Sequence, residues 1–533
     1  MDVLQFHRNK LNLFNGDHIN LVYHQENLSQ FINRPYTLEN FKEQIEEKNL
    51  NFDSNSRSVL VAAIKESYSN TKLNAPVSEN IEALLDENTY TVTTGHQLSL
   101  FTGPLYFVLK ILHVIKLTTL LKKAFPDKRF VPVFWMASED HDFEEIQSVQ
   151  LFTKKLVWDS KEKGPVGRFS LDGLDAIRSE IGEMYRNHPN SEINKLLKQF
   201  DGVNYAEASL KLIHEIFKKY GLVIVEGDNS NLKKLFAPSI KKELLEQFSF
   251  YEVTKSSELL RKQGVKTQIN PRELNLFYCK KGIRSRIIKK EDRFVVDGLG
   301  ERSMDELLNE LNETPEVFSP NVVLRPLYQE TILPNLAYIG GGSEILYWLQ
   351  LKNVFNTANC TYPLIGVRNS VLLMDEAICK KINKFDLSIE DIFKNTEQIK
   401  KEFIQRNSGE ELNADKLDAA TIELAAIMRA SISKVNPSME SYAAAEIARL
   451  NKQIDGIKAK LLKIAKTNNE ESMKSIDQIK ERLFPQGQLQ ERTINFFSFC
   501  PDGNYADRLD ALYNCMDPMV NDFIVIRDFN PMK

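Results

Sequence analysis

The stretch Thr89–Glu145, TYTVTTGHQLSLFTGPLYFVLKILHVIKLTTLLKKAFPDKRFVPVFWMASEDHDFEE, decides the fold. Thr89–Thr94 is rich in threonine, tyrosine and valine, which suit a pleated and buried surface, so it predicts a strand ended by Gly95. From Leu98 to Leu121, the residues Leu105, Leu109, Leu112, Ile115 and Leu120 recur near helical spacing and predict a long helix. Phe130–Ala137 then reads as a short buried strand emptying into the acidic loop SEDHDFEE. Strand, helix, strand in this order is a βαβ unit, which implies a parallel sheet covered by helices on both faces.

Outward from this stretch the alternation recurs. Leu210–Tyr220 is helix-like, Gly221–Val225 (GLVIV) is an apolar strand, and Asp228 begins a polar turn. Tyr338-Ile339 lead into Gly340, Gly341 and Gly342, after which Ser343–Val354 has helical character. Before the first strand, about 85 residues look mainly helical. Two segments, about 155–205 and 250–320, read as insertions into a core spanning 1–385. Between 386 and 483 glycine and aromatics become rare, and Ile447, Leu450, Ile454, Ile457, Leu461 and Ile464 step by three and four, the seam of a coiled coil. An intramolecular bundle or a dimer contact would each cover that seam. Residues 484–533 are expected to pack back on the core.

Composition narrows the function classes. With 533 residues, a net charge of −4 and no dominant basic stripe, the chain is not expected to bind nucleic acid. Lys110, His113 and Lys116 interrupt the most apolar stretch, so it suits a protein interior better than a bilayer. The opening MDVLQFHRNKLNLF lacks the pattern of a secretory signal, and five scattered cysteines without a CxxC pair suit a reducing compartment. A cytoplasmic location is the expectation.

Ligands of doubly wound sheets bind at the carboxyl ends of strands, near the point where strand order reverses. Thr93-Thr94-Gly95-His96-Gln97 and Phe101-Thr102-Gly103-Pro104 lie there, before a helix whose free N–H groups favour an anion. They match neither a P-loop nor a dinucleotide fingerprint, and a turn capping a helix reads equally well. Asp140, His141 and Asp142, within Ser138–Glu145, can bind an ammonium, hold a magnesium ion or supply a general base, or form a solvated acidic loop. Zinc fits poorly, because adjacent residues make poor joint ligands. Arg168, Arg284, Arg286, Arg325 and Arg368 are candidate carboxylate or phosphate forks, or structural ion pairs. Gly341, Glu344, Tyr347 and Trp348 form either a ligand-cradling loop with aromatic neighbours or a plain turn before a helix.

Five segments, TGHQLSLFTGPLY, VPVFWMASEDHDFEEI, GPVGRF, FSPNVVLRPLYQETILPNLAYIGGGSEILYWLQLK and LFPQGQLQERTINFF, occur in the order found in the bacillithiol-biosynthesis cysteine-adding family, which this chain resembles over most of its length. That family is similar in core fold to class I aminoacyl-tRNA synthetases. The resemblance implies a Rossmann-type nucleotidyl-transferase core, connective insertions and a coiled-coil arm that makes a homodimer. It also implies a ligase joining L-cysteine to the amine of glucosaminyl malate, with an adenine nucleotide, ATP or ADP, as the candidate cofactor. Phe101-Thr102-Gly103-Pro104 keeps the glycine of the synthetases' H-x-G-H pattern but neither histidine, and there is no KMSKS loop. The family commonly has glutamine where this chain has His96.

On this reading Asp140, His141 and Asp142 handle the amine, Thr102 and Gly103 at the helix mouth take the anionic group, and Arg168, Arg325 and Asn321 take the malate carboxylates. His96, Gln97, Gly341, Glu344, Tyr347 and Trp348 complete the substrate contacts. Two rivals are a metal-dependent hydrolase built on 139–145 and a non-catalytic nucleotide-binding coiled-coil scaffold.

Overall fold

The computed structural model describes residues 1–407 and 414–529. At its centre is a five-stranded parallel sheet of β1 (Thr89–His96), β2 (Arg129–Met136), β3 (Val223–Glu226), β4 (Asn335–Gly340) and β5 (Leu364–Val367), in the order β5-β4-β1-β2-β3. Strand order reverses between β1 and β4, the switch point of a Rossmann-type sheet.

The threonines of β1 explain how so polar a strand is fully buried. Thr91 and Thr93 donate to Asn335 Oδ1 at 3.1 and 2.8 Å, and Thr94 donates to the Ile339 carbonyl at 2.7 Å. Each of these three buried hydroxyls therefore has a partner, as burial demands. Gly95 does not end the strand as expected; it continues in register opposite Trp135. A Cβ there would lie 3.3 Å from the Tyr338 hydroxyl and 3.4 Å from Arg325 Nη1, so glycine serves close approach rather than a break.

The long helix α1 (Tyr106–Ala124) covers the sheet, its Val114, Leu117 and Leu121 packing with Tyr90, Val92 and Leu336. It starts later than the Leu98 expected, because Phe101, Thr102 and Gly103 all take positive φ (45°, 72° and 59°), which no right-handed helix accommodates. The helix expected over Ser343–Val354 is two, α2 (Gly342–Trp348) and Lys352–Thr357.

Around the core, residues Lys154–Val157 pair with Ser148–Leu151, and helices Leu174–Met184 and Glu192–Gln199 follow. Residues 276–320 build a five-stranded antiparallel sheet running Gly300–Arg302, Arg293–Val296, Ile283–Lys290, Leu276–Lys280, Phe318–Pro320. Strand Phe523–Arg527 lies between Asp2–Phe6 and Ser370–Leu373.

The chain divides into two units, Met1–Leu372 with Gln490–Ile526, and Leu373–Leu489 with Arg527–Phe529. The expected boundary at 385/386 falls later than this, because helix Glu376–Lys384 packs on Glu470–Leu483 of the second unit. There, α3 (Ala414–Val435) and α4 (Glu440–Asn468) form a hairpin turned by Pro437–Met439. The seam is only partly covered: Ile457 and Ile464 are each 49% exposed.

Candidate functional site

At the switch point a chain of partners joins β1, α1, β4 and α2. Lys110 is buried in α1 and donates to the Gly95 carbonyl at 2.6 Å and to Glu344 Oε2 at 2.7 Å. Glu344 also accepts from the Tyr338 hydroxyl and from the Gly341 amide. Burial alone would raise the Glu344 carboxyl, but Lys110 and these donors hold it below the ordinary range. His96 contacts the Tyr106 hydroxyl through Nε2 at 3.0 Å; burial, with Lys110 nearby, lowers it to about 4, so it is neutral at pH 7. Arg325 donates to Gln329 through Nη1 at 3.0 Å and sits 5.4 Å above the Tyr338 ring, facing Tyr347. Its Nη2 has no partner among the described residues. Trp348 is fully buried and stacked on Tyr338 at 4.3 Å, which makes it a core residue and not a surface for a ligand.

The glycine-proline elbow is closed from the other end of the chain. Asn495 Nδ2 donates to the carbonyls of Phe101 and Gly103 at 2.8 and 2.5 Å and to Thr102 Oγ1 at 3.3 Å, while the Leu105 amide donates to the Ile494 carbonyl at 2.8 Å. Thr102 is only 2% exposed. The anion site expected at Thr102 and Gly103 is therefore filled by protein, and at α2 the Glu344 carboxylate already takes the Gly341 amide. Neither helix start fits the phosphates of a nucleotide.

The loop after β2 is built differently. Gln97, leaving β1, donates to Asp140 Oδ2 at 2.7 Å and to Glu145 Oε2 at 2.9 Å, which draws the two strand ends together. Asp140 Oδ1 accepts the amides of His141 and Asp142 at 2.7 and 3.2 Å. Burial pushes the Asp140 carboxyl up, but hydrogen bonding from His141 and then Gln97, followed by the Arg284 charge and the Asp142 amide, outweighs it and holds the group well below the usual range. The loop GPVGRF locks on from above: the Val166 amide donates to the Asp140 carbonyl and the Gly167 amide to that of Ser138. Asp142 is exposed, and no side-chain hydrogen bond or ion pair holds its carboxylate among the described residues.

The antiparallel insertion supplies Arg284, whose Nη1 lies 2.8 Å from His141 Nδ1. A cavity of about 440 Å³ adjoins this pair, its lining including His141, Arg284, Phe169 and the charged Glu162, Lys163 and Asp297.

The remaining expected residues are committed elsewhere. Arg168 forks Asp228 through Nε and Nη2 at 2.7 and 2.8 Å, and Asn321 bonds Asn275 at 2.9 Å. Arg368 is buried against Glu491 at 2.8 Å. Three partnerships went unread in the sequence. Lys110, a charge inside an apolar helix, was the visible clue to the first cluster. Glu226 ends β3, and its carboxyl is raised to about 7 by burial and by Asp228. Glu139 pairs with the buried Lys233. Among the described residues, no three His, Cys, Asp or Glu side chains are grouped to hold a metal ion. No described helix is long and apolar enough to cross a membrane.

Comparison with known proteins agrees with this architecture. The family description "Bacillithiol biosynthesis BshC, N-terminal Rossmann-like domain" matches residues 5–369, and that of the BshC C-terminal coiled-coil domain matches 371–527. Relatives named for a proposed cysteine ligase activity include those of Flavobacterium johnsoniae (41% identical, covering 87% of this chain and 88% of the relative) and Christiangramia forsetii (36%, covering 94% and 95%). The Bacillus cereus relative is 30% identical, covering 80% of this chain and 83% of its own. A Rossmann-type core and a coiled-coil unit, joined in this order and matched over nearly the whole length, establish that the chain belongs to the bacillithiol-biosynthesis BshC family.

Proposed function

We propose that the protein is a ligase that joins the carboxyl carbon of L-cysteine to the amine of glucosaminyl malate, and that the reaction takes place at the Asp140–Asp142 loop. The observation that carries this reading is the contrast in commitment among its carboxylates. Asp140 is held ionised by Gln97 and two amides, which suits it to orient a substrate ammonium. Asp142 is exposed and unclaimed, which suits it to take the proton that nitrogen must lose as it attacks. The new N–C bond forms on an activated cysteine acyl group, whose leaving group departs with its bonding electrons. Arg325 Nη2, a buried donor without a partner, is the candidate to hold a malate carboxylate.

The test is thiol profiling of a strain lacking the protein. Restoring the wild-type chain should return bacillithiol, whereas Asp142→Asn should leave glucosaminyl malate accumulated. Full bacillithiol with Asp142→Asn would remove the base assignment. Unchanged bacillithiol without the protein would favour the scaffold reading.

Two further parts belong to this reading. The half-exposed Ile457 and Ile464 fit burial against a second copy of α4, so sedimentation of the full chain should give a homodimer; a monomer at micromolar concentration would contradict it. Small-molecule substrates and a cytoplasmic location follow from the same biosynthetic role, with no nucleic acid or membrane partner.

A further inference from the structure

Arg284 and His141 meet across two different elements, and the chemistry of their contact fixes a proton. A guanidinium carries only donors and stays charged at any ordinary pH. With Nη1 at 2.8 Å, His141 Nδ1 must therefore present its lone pair. The imidazole is then neutral, with its one proton on Nε2.

Arg284 cannot readily turn away. Its side chain is 7% exposed, its Nε and Nη2 donate to Ser319 Oγ at 3.3 and 3.2 Å, and Nη2 also donates to the Pro320 carbonyl at 3.2 Å. The guanidinium lies 4.0 Å from the centre of the Phe277 ring, against which His141 also packs. The competing influence is Asp140, whose Oδ1 is 3.6 Å from Nδ1 and would favour a proton there. That oxygen already accepts two amides, and a proton on Nδ1 would face a fixed cation at hydrogen-bond distance. The closer contact wins. Lys163, Glu162 and Asp297 are the other charged groups around the cavity that His141 lines, and none of them contacts the ring at hydrogen-bond distance.

We infer that His141 acts as a neutral hydrogen-bond donor, not as a base, offering Nε2–H to the acyl oxygen as it becomes anionic in the adjoining cavity, and that Arg284 is the positioning residue that sets this tautomer. The inference deepens the proposed ligase reading and rests on it for the identity of the oxygen. It divides the labour in the loop: Asp142 takes the proton, and His141 steadies the charge that develops when nitrogen attacks.

Two measurements on the full chain test it. In protein labelled with ¹⁵N-histidine, with His141→Gln assigning the resonance, Nδ1 should show the unprotonated signature and Nε2 the protonated one at neutral pH. Arg284→Met should release Nδ1 to take a proton toward Asp140. A protonated Nδ1 in the wild type would overturn the inference whatever the protein's activity. In the amide-forming assay, His141→Gln, whose amide can donate from nearly the same place, should stay within about tenfold of wild type. His141→Ala should lose about 10²–10³ in kcat with little change in KM, the scale for removing one oxyanion donor. Equal losses in both variants would overturn the donor role. A wild-type protein that forms no amide from these substrates would instead sink the ligase reading, while the tautomer measurement would still decide the Arg284 assignment.

Discussion

The Lys110–Glu344 cluster and the Asp140–Asp142 loop lie at the carboxyl ends of neighbouring strands, yet they treat their polar groups in opposite ways. In the first, a buried ammonium, a carboxylate, a phenol and two backbone groups satisfy one another within a few residues of the switch point. In the second, Asp140 is tied down while the Asp142 and His141 side chains remain exposed. A closed cluster holds strands and helices in place; an open one has bonding capacity left for a substrate. Position at a strand end therefore does not by itself make a binding residue.

If that distinction is right, changes in the closed cluster should cost stability and changes in the open loop should cost rate. The largest effect is expected for Lys110→Met, which leaves the partly buried Glu344 without its cation and should destabilise the first unit by about 3 kcal/mol, read as a lowered denaturant midpoint. Asp142→Asn comes next, with a rate loss of about 10²–10³ and a melting temperature close to wild type; a large drop in melting temperature would erase the contrast. Asn495→Ala should cost about 2 kcal/mol by freeing two buried carbonyls and the strained turn at Phe101–Gly103, measurable by urea unfolding.

The most gradual effect is a pH dependence. Glu226 is raised from 4.5 to about 7, so the folded chain holds that proton more tightly than the unfolded one. Its contribution is complete below pH 4.5 and is lost as pH rises toward 7, with a slope of at most about 1.4 kcal/mol per pH unit. Glu226→Gln should flatten stability in that window, and an unchanged profile would contradict the assignment.

The sequence made the central βαβ unit legible, because an apolar strand, a helix-spaced leucine series and a second apolar strand each carry a local period. It placed Gln97 and Asp140 in one neighbourhood for the same reason, since adjacent parallel strands end side by side. What it hid were partners far apart along the chain. Asn495 braces a turn nearly the whole core away in sequence, and Glu344 meets Lys110 only once β4 lies beside β1. Both Thr102 and Gly103 therefore looked available when the fold had already claimed them. The start of α1 was misplaced because three successive positive φ angles depend on that distant brace rather than on local propensity.

The most direct measurement of the central claim is a structure of the chain with glucosaminyl malate bound. The account predicts the sugar amine within hydrogen-bond distance of Asp140 and Asp142, beneath His141. A sugar seated instead at the Thr102–Gly103 elbow, or with its amine turned away from the loop after β2, would contradict it.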